Sequence, residues 1–234
     1  MRIISWNCNG AFRKKFEFLS KFSPDIMVIQ ECENPAITKD LAYKEFSTNH
    51  IWIGKNQNKG LGIFAKESIK IQKLNWSNIY FNHDVNYFLP IIFNDSQILI
   101  GIWAHKNNSP TFGYIGQVWK YFQINSDKIF NSIIIGDFNS NKIWDCWDRW
   151  WNHTDVLNIF EENNLVSLYH YLYNEKQGEE NLKTFFLHKN HLKGYHIDYC
   201  FLPKQLITTK TTLNIPDFEI ISKLSDHCPL IIDY

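Results

Sequence analysis

Neither sign of charge is in excess: 24 lysine and arginine residues face 24 aspartate and glutamate residues over 234 positions. A chain so balanced has no global field to draw it onto a polyanion, so any nucleic-acid contact must be local. Cys-x-x-Cys pairs are also missing. Cys8, Cys32, Cys146, Cys200 and Cys228 stand singly, which fits neither a disulfide framework nor a structural zinc site and predicts reduced, buried thiols. No apolar run reaches membrane-spanning length, and the opening MRIISWN has no charged leader or cleavage signal. A cytoplasmic protein with no membrane partner is expected. Internal repeats and low-complexity blocks are absent, so residues 1–234 are read as one domain. What is plentiful is apolar material, 44% hydrophobic and 16% aromatic, enough to fill one large core.

Strand-length apolar runs recur at Ile3 to Trp6, Ile26 to Ile29, Leu61 to Phe64, Ile98 to Trp103, Ile133 to Ile135, Ile197 to Phe201 and Leu230 to Ile232. Between the first two, FRKKFEFLSKF sets Phe12, Phe16 and Leu19 on one helical face, with Pro24 as the stop. Further helices are predicted around Gly116 to Phe122 and from Thr154, read as an N-cap, through Val156, Leu157 and Phe160. Lys66 to Ile92 reads as strands and turns. The pattern predicts an α/β fold: two mixed β-sheets packed face to face with helices outside, a four-layer α/β sandwich.

Several apolar runs stop at an amide, a carboxylate or an imidazole instead of ordinary turn residues. IISW runs into Asn7 and Asn9, IMVIQ into Glu31, ILIGIWA into His105, and SIIIG into Asp137 and Asn139. Each alone is a common loop residue. Together they place ligand-type groups at the carboxyl ends of strands, where open α/β sheets gather their ligands. HIDYCF adds Asp198 inside an apolar strand, where a carboxylate is costly unless paired, and SDHCPL puts Asp226 and His227 just before the last strand.

In order, SWNCNG, DIMVIQECE, GDFNS, HIDYCF and SDHCPL resemble the successive motifs of the endonuclease/exonuclease/phosphatase superfamily. The resemblance spans residues 3 to 232 and implies one catalytic domain over 1–234, with no room before Ile3 for a targeting arm. It also implies a divalent-metal-dependent phosphoric ester hydrolase that attacks phosphorus in line with water. By resemblance Glu31 is the metal ligand, with Asn7 beside it and Asp226 near the metal. Hard oxygen ligation of this kind suits Mg²⁺ or Mn²⁺. Gly136 would permit a tight turn, Asp137 would orient or deprotonate the attacking water, and Asn139 would hold the nucleophile or the phosphate. His227 would bind the scissile phosphate, with Asp198 fixing its tautomer and favouring the imidazolium.

Departures from the family narrow the substrate. GIWAHKNN lacks the Tyr-x-Pro-Asn pattern of abasic-site endonucleases, and His105 resembles the strand-end histidine of deoxyribonuclease-like and sphingomyelinase-like members. Its usual glutamate partner is not evident in NQNKG. NKIWDCWDRWWNH places Trp144, Trp147 and Trp151 on one helical face, which reads first as core packing; Trp144 with Arg149 alternatively offers a base and phosphate contact, as do Asn9 and Arg13 after the first motif. Nucleic acid, DNA or RNA, is the expected substrate and partner of a protein expected to be a monomer. The alternatives are a phosphoesterase of the same mechanism acting on a nucleotide, lipid headgroup or inositol phosphate, and a non-catalytic binding protein on the same fold.

Overall fold

In the computed structural model, which describes residues 1–107, 109 and 111–234, all seven apolar runs become strands of two six-stranded sheets. The first sheet holds β1 (Arg2–Asn7), β2 (Ile26–Cys32), β3 (His50–Asn56), β4 (Lys59–Ala65), β15 (Thr212–Asn214) and β16 (Leu230–Asp233), in the order β15-β16-β1-β2-β4-β3. The second holds β5 (Ile71–Lys73), β8 (Phe88–Phe93), β9 (Gln97–Trp103), β10 (Ile133–Asp137), β11 (Leu165–Ser167) and β14 (Asp198–Pro203), in the order β11-β14-β10-β9-β8-β5. Two short ribbons lie outside them: β6 (Ile79–Tyr80) with β7 (His83–Asp84), and β12 (Phe185–Phe186) with β13 (Gly194–Tyr195).

Both sheets share one plan. β1 and β2 are a parallel pair at the centre of the first, β9 and β10 at the centre of the second, and the flanking strands pair antiparallel. Parallel neighbours end on the same side. Asn7 and Glu31 therefore leave the first sheet together, and His105 and Asp137 leave the second together.

Ile3, Val28 and Ile63 meet Leu89, Leu99 and Ile135 between the sheets. The opposite face of the first sheet, with Ile4, Trp6 and Met27, is covered by Phe16 of α1 (Phe16–Ser20), Tyr43 of α2 (Leu41–Phe46) and Phe218 of α6 (Phe218–Ile221). The outer face of the second, with Ile100, Ile134 and Phe201, packs on α3 (Ile115–Gln123) and α4 (His153–Glu162) through Val118, Phe122, Val156 and Phe160. This is the expected four-layer α/β sandwich. Burial on both faces is why the strands read as continuous apolar runs. α5 (Leu168–Tyr173) sends Leu168 and Tyr169 into the inter-sheet core, on the side where β11 and β15 are the edge strands.

Four expectations need correction. The first helix is broken: a 3-10 turn over Phe12–Lys14 precedes α1, because Lys15 leaves helical geometry and turns its ammonium back onto the carbonyls of Cys8 and Gly10 at 2.6 and 2.8 Å. α4 is capped by Asn152, not Thr154, through a capping box with Asp155. The tryptophan segment is not a helix. Asp145 accepts the backbone N–H groups of His153 and Thr154, and Asn152 accepts from Cys146, so side chains hold a loop that outcompetes the helix. Trp151 is buried, but Trp147 is 98% exposed. Finally, Cys146 is exposed on that loop while the other four thiols are buried. No helix among the described residues is long and apolar enough to cross a membrane.

Candidate active site

The two parallel pairs deliver their terminal side chains to one place. Asn7 at the end of β1 donates its amide Nδ2 to Asp137 Oδ2 across the sandwich at 2.9 Å. Asn139 closes on the same carboxylate from its own strand, its backbone N–H to Oδ1 at 2.8 Å and its Nδ2 to Oδ2 at 2.9 Å. That Nδ2 also reaches the Ala104 carbonyl at 3.1 Å, and the Ala104 N–H donates to the Asp137 backbone carbonyl at 2.7 Å, which fixes the start of the His105 loop against Asp137. Asp137 is fully buried.

Gly136 makes this approach possible, though inside the strand and not in the tight turn expected of it. Its φ is +150°, and a Cβ there would lie 2.0 Å from the Ile102 carbonyl oxygen. Any side chain at 136 would push β10 off β9 and move Asp137.

The third side of the site is an ion pair. His227 Nδ1 meets Asp198 Oδ2 at 2.9 Å and Oδ1 at 3.2 Å. Asp198 is held by the Thr184 hydroxyl, which accepts the N–H groups of Ile197 and Asp198 at 3.0 Å each. His227 is held by Ser225, whose hydroxyl accepts the His227 N–H at 3.1 Å and donates to the Asn7 carbonyl at 2.7 Å. The Phe185 ring lies 4.6 Å from the imidazole, centroid to centroid. Asp137, Asp198 and His227 offer polar atoms within 4.8 Å of one another. Burial alone would lower the His227 pKa, but Asp198 and Asp137 more than reverse it, raising it to about 9. Burial first, then Asp198, pushes Asp137 up to about 7 against the pull of His227 and the Asn7 hydrogen bond. One charged acid and one base poised near neutrality face each other.

Glu31 occupies a bulge where the β2–β4 register slips between Gln30 and Cys32, and its φ of 61° turns the carboxylate out of the strand. Lys59 meets its Oε2 at 2.6 Å. A hard divalent cation fits this corner. Glu31 and the Asn7 amide offer oxygen, Asp226 stands half-buried next to His227, and the Glu31 carboxylate already accepts a cationic partner, while the three ligand-type side chains whose atoms lie within 4.8 Å are Asp137, Asp198 and His227.

The remaining expected residues sit further out. His105 Nδ1 accepts the Asn107 N–H at 3.0 Å, which puts the ring proton on Nε2; burial, then Lys55 and Lys59 against Glu31, lowers its pKa. The Asn9 N–H donates to Asn7 Oδ1 at 3.0 Å, holding the amide that reaches Asp137. Arg13 is engaged by Glu33, and Arg149 Nη2 donates to the Trp144 carbonyl at 2.6 Å within the loop. Trp144 packs its ring 5.2 Å from Tyr195. Sequence reasoning missed Lys59, Thr184, Phe185 and Ser225. Only Ser225, inside SDHCPL, had a signal that pointed at it.

The sequence profile of the Endonuclease/Exonuclease/phosphatase family matches residues 4–227. The chain belongs to this family. It is a phosphoric ester hydrolase by that membership. Curated protein sequences give no match. Solved structures share the fold at low identity. The 3′-5′ exonuclease NExo from Neisseria meningitidis is 16% identical with a TM-score of 0.71, covering 100% of this chain and 99% of that one. An AP endonuclease from Archaeoglobus fulgidus is 16% identical with a TM-score of 0.73 and the same coverage. The catalytic domain of Xenopus laevis APE2 is 16% identical with a TM-score of 0.66, covering 100% of this chain and 91% of that one.

Proposed function

We propose that the protein is a Mg²⁺- or Mn²⁺-dependent nuclease that hydrolyses DNA or RNA phosphodiesters by in-line attack of water. The observation that carries this reading is the facing pair: Asp137, raised to about 7 and gripped by Asn7 and Asn139, opposite His227, raised to about 9 by its carboxylate neighbours. Asp137 takes the proton from water while Asn139 orients it. His227, charged and locked by Asp198, donates through Nε2 to a phosphoryl oxygen as charge builds there. Glu31, with Asn7 and Asp226, would hold the cation, which when bound polarises the phosphoryl oxygen and stabilises the leaving oxyanion. His105 carries its proton on Nε2 and serves as the donor to that oxyanion.

Nucleic acid is favoured over a small phosphoester by the exposed Trp147 on the loop after Asn139, which suits stacking on a base. Neighbours in fold support it as well, since one is described as a 3′ phosphatase bound to a product DNA hairpin. Abasic DNA holds no privileged place in this reading. The test compares an abasic duplex, an intact duplex, single-stranded DNA, RNA and lipid or inositol phosphoesters at matched metal, with a chelator control. We expect cleavage of ordinary nucleic acid with no large abasic advantage and none in chelator. Turnover of the small phosphoester alone removes the nuclease reading, and a strong abasic preference replaces it with lesion repair.

A further inference from the structure

A hollow lies at one side of the sandwich. α5 closes the side where β11 and β15 are the edges, but at the other side the edge strands β3 and β5 leave a cavity of about 690 Å³. Its wall carries Lys55, Lys73 and Lys128, with Trp76, Tyr87 and Asn86, and no carboxylate. None of the three lysines forms an ion pair among the described residues; Lys128 donates only to the Asn125 amide oxygen, at 3.2 Å. Three uncompensated ammonium groups around one hollow repel each other and favour an anionic occupant.

The cavity neighbours His105. The Tyr87 ring in its wall stands 5.3 Å from the His105 ring, centroid to centroid. A second hollow of about 590 Å³, whose lining has Lys120 and one carboxylate, Asp84, shares Lys55 and Asn86 with the first and includes Asn107, whose N–H fixes the His105 tautomer. Lys55 is also close enough to depress the His105 pKa. A path of cations and aromatic faces thus leads away from the residue that would meet the leaving group.

Resting on the nuclease reading above, we propose that this cleft binds the single-stranded segment of nucleic acid that flanks the scissile phosphate. Lys55, Lys73 and Lys128 contact successive phosphates, and Tyr87 and Trp76 stack on bases. A duplex keeps its base faces stacked inside and offers nothing to these rings, whereas a single strand presents one face per nucleotide. Because every base has such a face, the cleft holds the strand without reading its sequence. It also reconciles nucleic-acid binding with zero net charge, since the cationic surface is local.

The test is a Lys73→Ala, Lys128→Ala double variant, neither of whose residues touches the catalytic machinery. Binding of a fluorescent oligothymidylate of about 12 nucleotides, a typical single-strand site length, is measured by anisotropy against salt in chelator. Melting temperature and metal-supported turnover of bis(p-nitrophenyl) phosphate, too short to span the catalytic centre and the cleft together, are followed in parallel. We expect affinity at low salt to fall about 10-fold or more and the log–log salt slope to shrink by about 1.4, the share of two single-strand phosphate contacts. Melting and small-diester turnover should stay as in the wild type. Unchanged affinity and slope overturn the cleft and leave the nuclease reading standing. A wild-type protein that hydrolyses the small diester but binds no oligonucleotide overturns both.

Discussion

Replacing Asp198 with Asn separates two things the carboxylate does for His227: it orients the ring and it charges it. The isostere keeps a side chain that can accept from Nδ1, so the ring stays in place, but the negative charge is gone. Asp198 and Asp137, with Asp226, raise the imidazole to about 9 from 6.5 against burial, a difference of about 3 kcal/mol in favour of the charged ring. Without Asp198 only Asp137 and Asp226 oppose burial, and the pKa falls. A fall all the way to the ordinary 6.5 would set the upper bound on the effect, a charged fraction about 30-fold lower at pH 8 and less than about 2-fold lower at pH 6. The assay is kcat against pH with saturating metal and an oligonucleotide substrate. Wild type should give a bell with an acid limb near 7, where Asp137 must lose its proton, and an alkaline limb near 9, where His227 must keep its own. Asp198→Asn should pull the alkaline limb down from about 9 and deepen the defect steadily from pH 6 to pH 8. The sign for stability is the same. A raised histidine pKa stabilises the fold fully below about pH 6.5 and loses that contribution as pH rises through about 9. A defect of equal depth at pH 6 and pH 8 would show that Asp198 only orients the ring and refute the charging role.

Glu31→Gln should weaken Mn²⁺ binding in calorimetry and lower turnover together; unaltered metal affinity would remove Glu31 from the metal corner. Gly136→Ala should cost about 3 kcal/mol or more in urea unfolding, because a Cβ 2.0 Å from the Ile102 carbonyl forces backbone movement at a φ that side chains avoid; a shift under about 0.5 kcal/mol would contradict the close approach. Trp147→Ala should leave unfolding within about 0.5 kcal/mol of wild type, since the ring is 98% exposed, while weakening oligonucleotide binding by about 1 kcal/mol or more. Loss of stability without loss of binding would reverse that assignment.

The sandwich was legible because its central strands are buried on both faces, so apolar runs such as ILIGIW and IIIG have no other use. Edge strands β11 and β15, with three residues each, and helices α2 and α6, with six and four, are too short to show a period. The site was legible where a polar residue ends an apolar run, as at Asn7, Glu31, Asp137 and His227. It was illegible where position depends on pairing far along the chain. Lys59 reaches Glu31 only through the β2–β4 bulge, and Thr184 reaches Asp198 from an irregular segment whose sequence, NLKTFF, has no marker. The tryptophan spacing misled for a local reason: Asp145, just after the first ring, and Asn152, just after the last, are better hydrogen-bonded in a loop than in a helix.

The shared plan of the two sheets explains why the site lies where it does and why its parts are so scattered in sequence. Each sheet has one parallel pair, and only parallel neighbours present two carboxyl ends side by side. Packed face to face, the sheets bring both pairs of ends together, so Asn7 of the first sheet can donate to Asp137 of the second. That hydrogen bond joins the sheets at the reacting centre. It also accounts for the tolerance of three ionisable groups in a buried spot. Asp137 receives three hydrogen bonds, Asp198 carries the charge of His227, and Ser225 ties the His227 loop back to β1. A buried charge removed from such a set leaves its partner unpaired at a cost of about 3–5 kcal/mol. The same network that tunes Asp137 and His227 for proton transfer therefore locks the two sheets in register, and loosening it should reduce order at the site before the outer helices are affected.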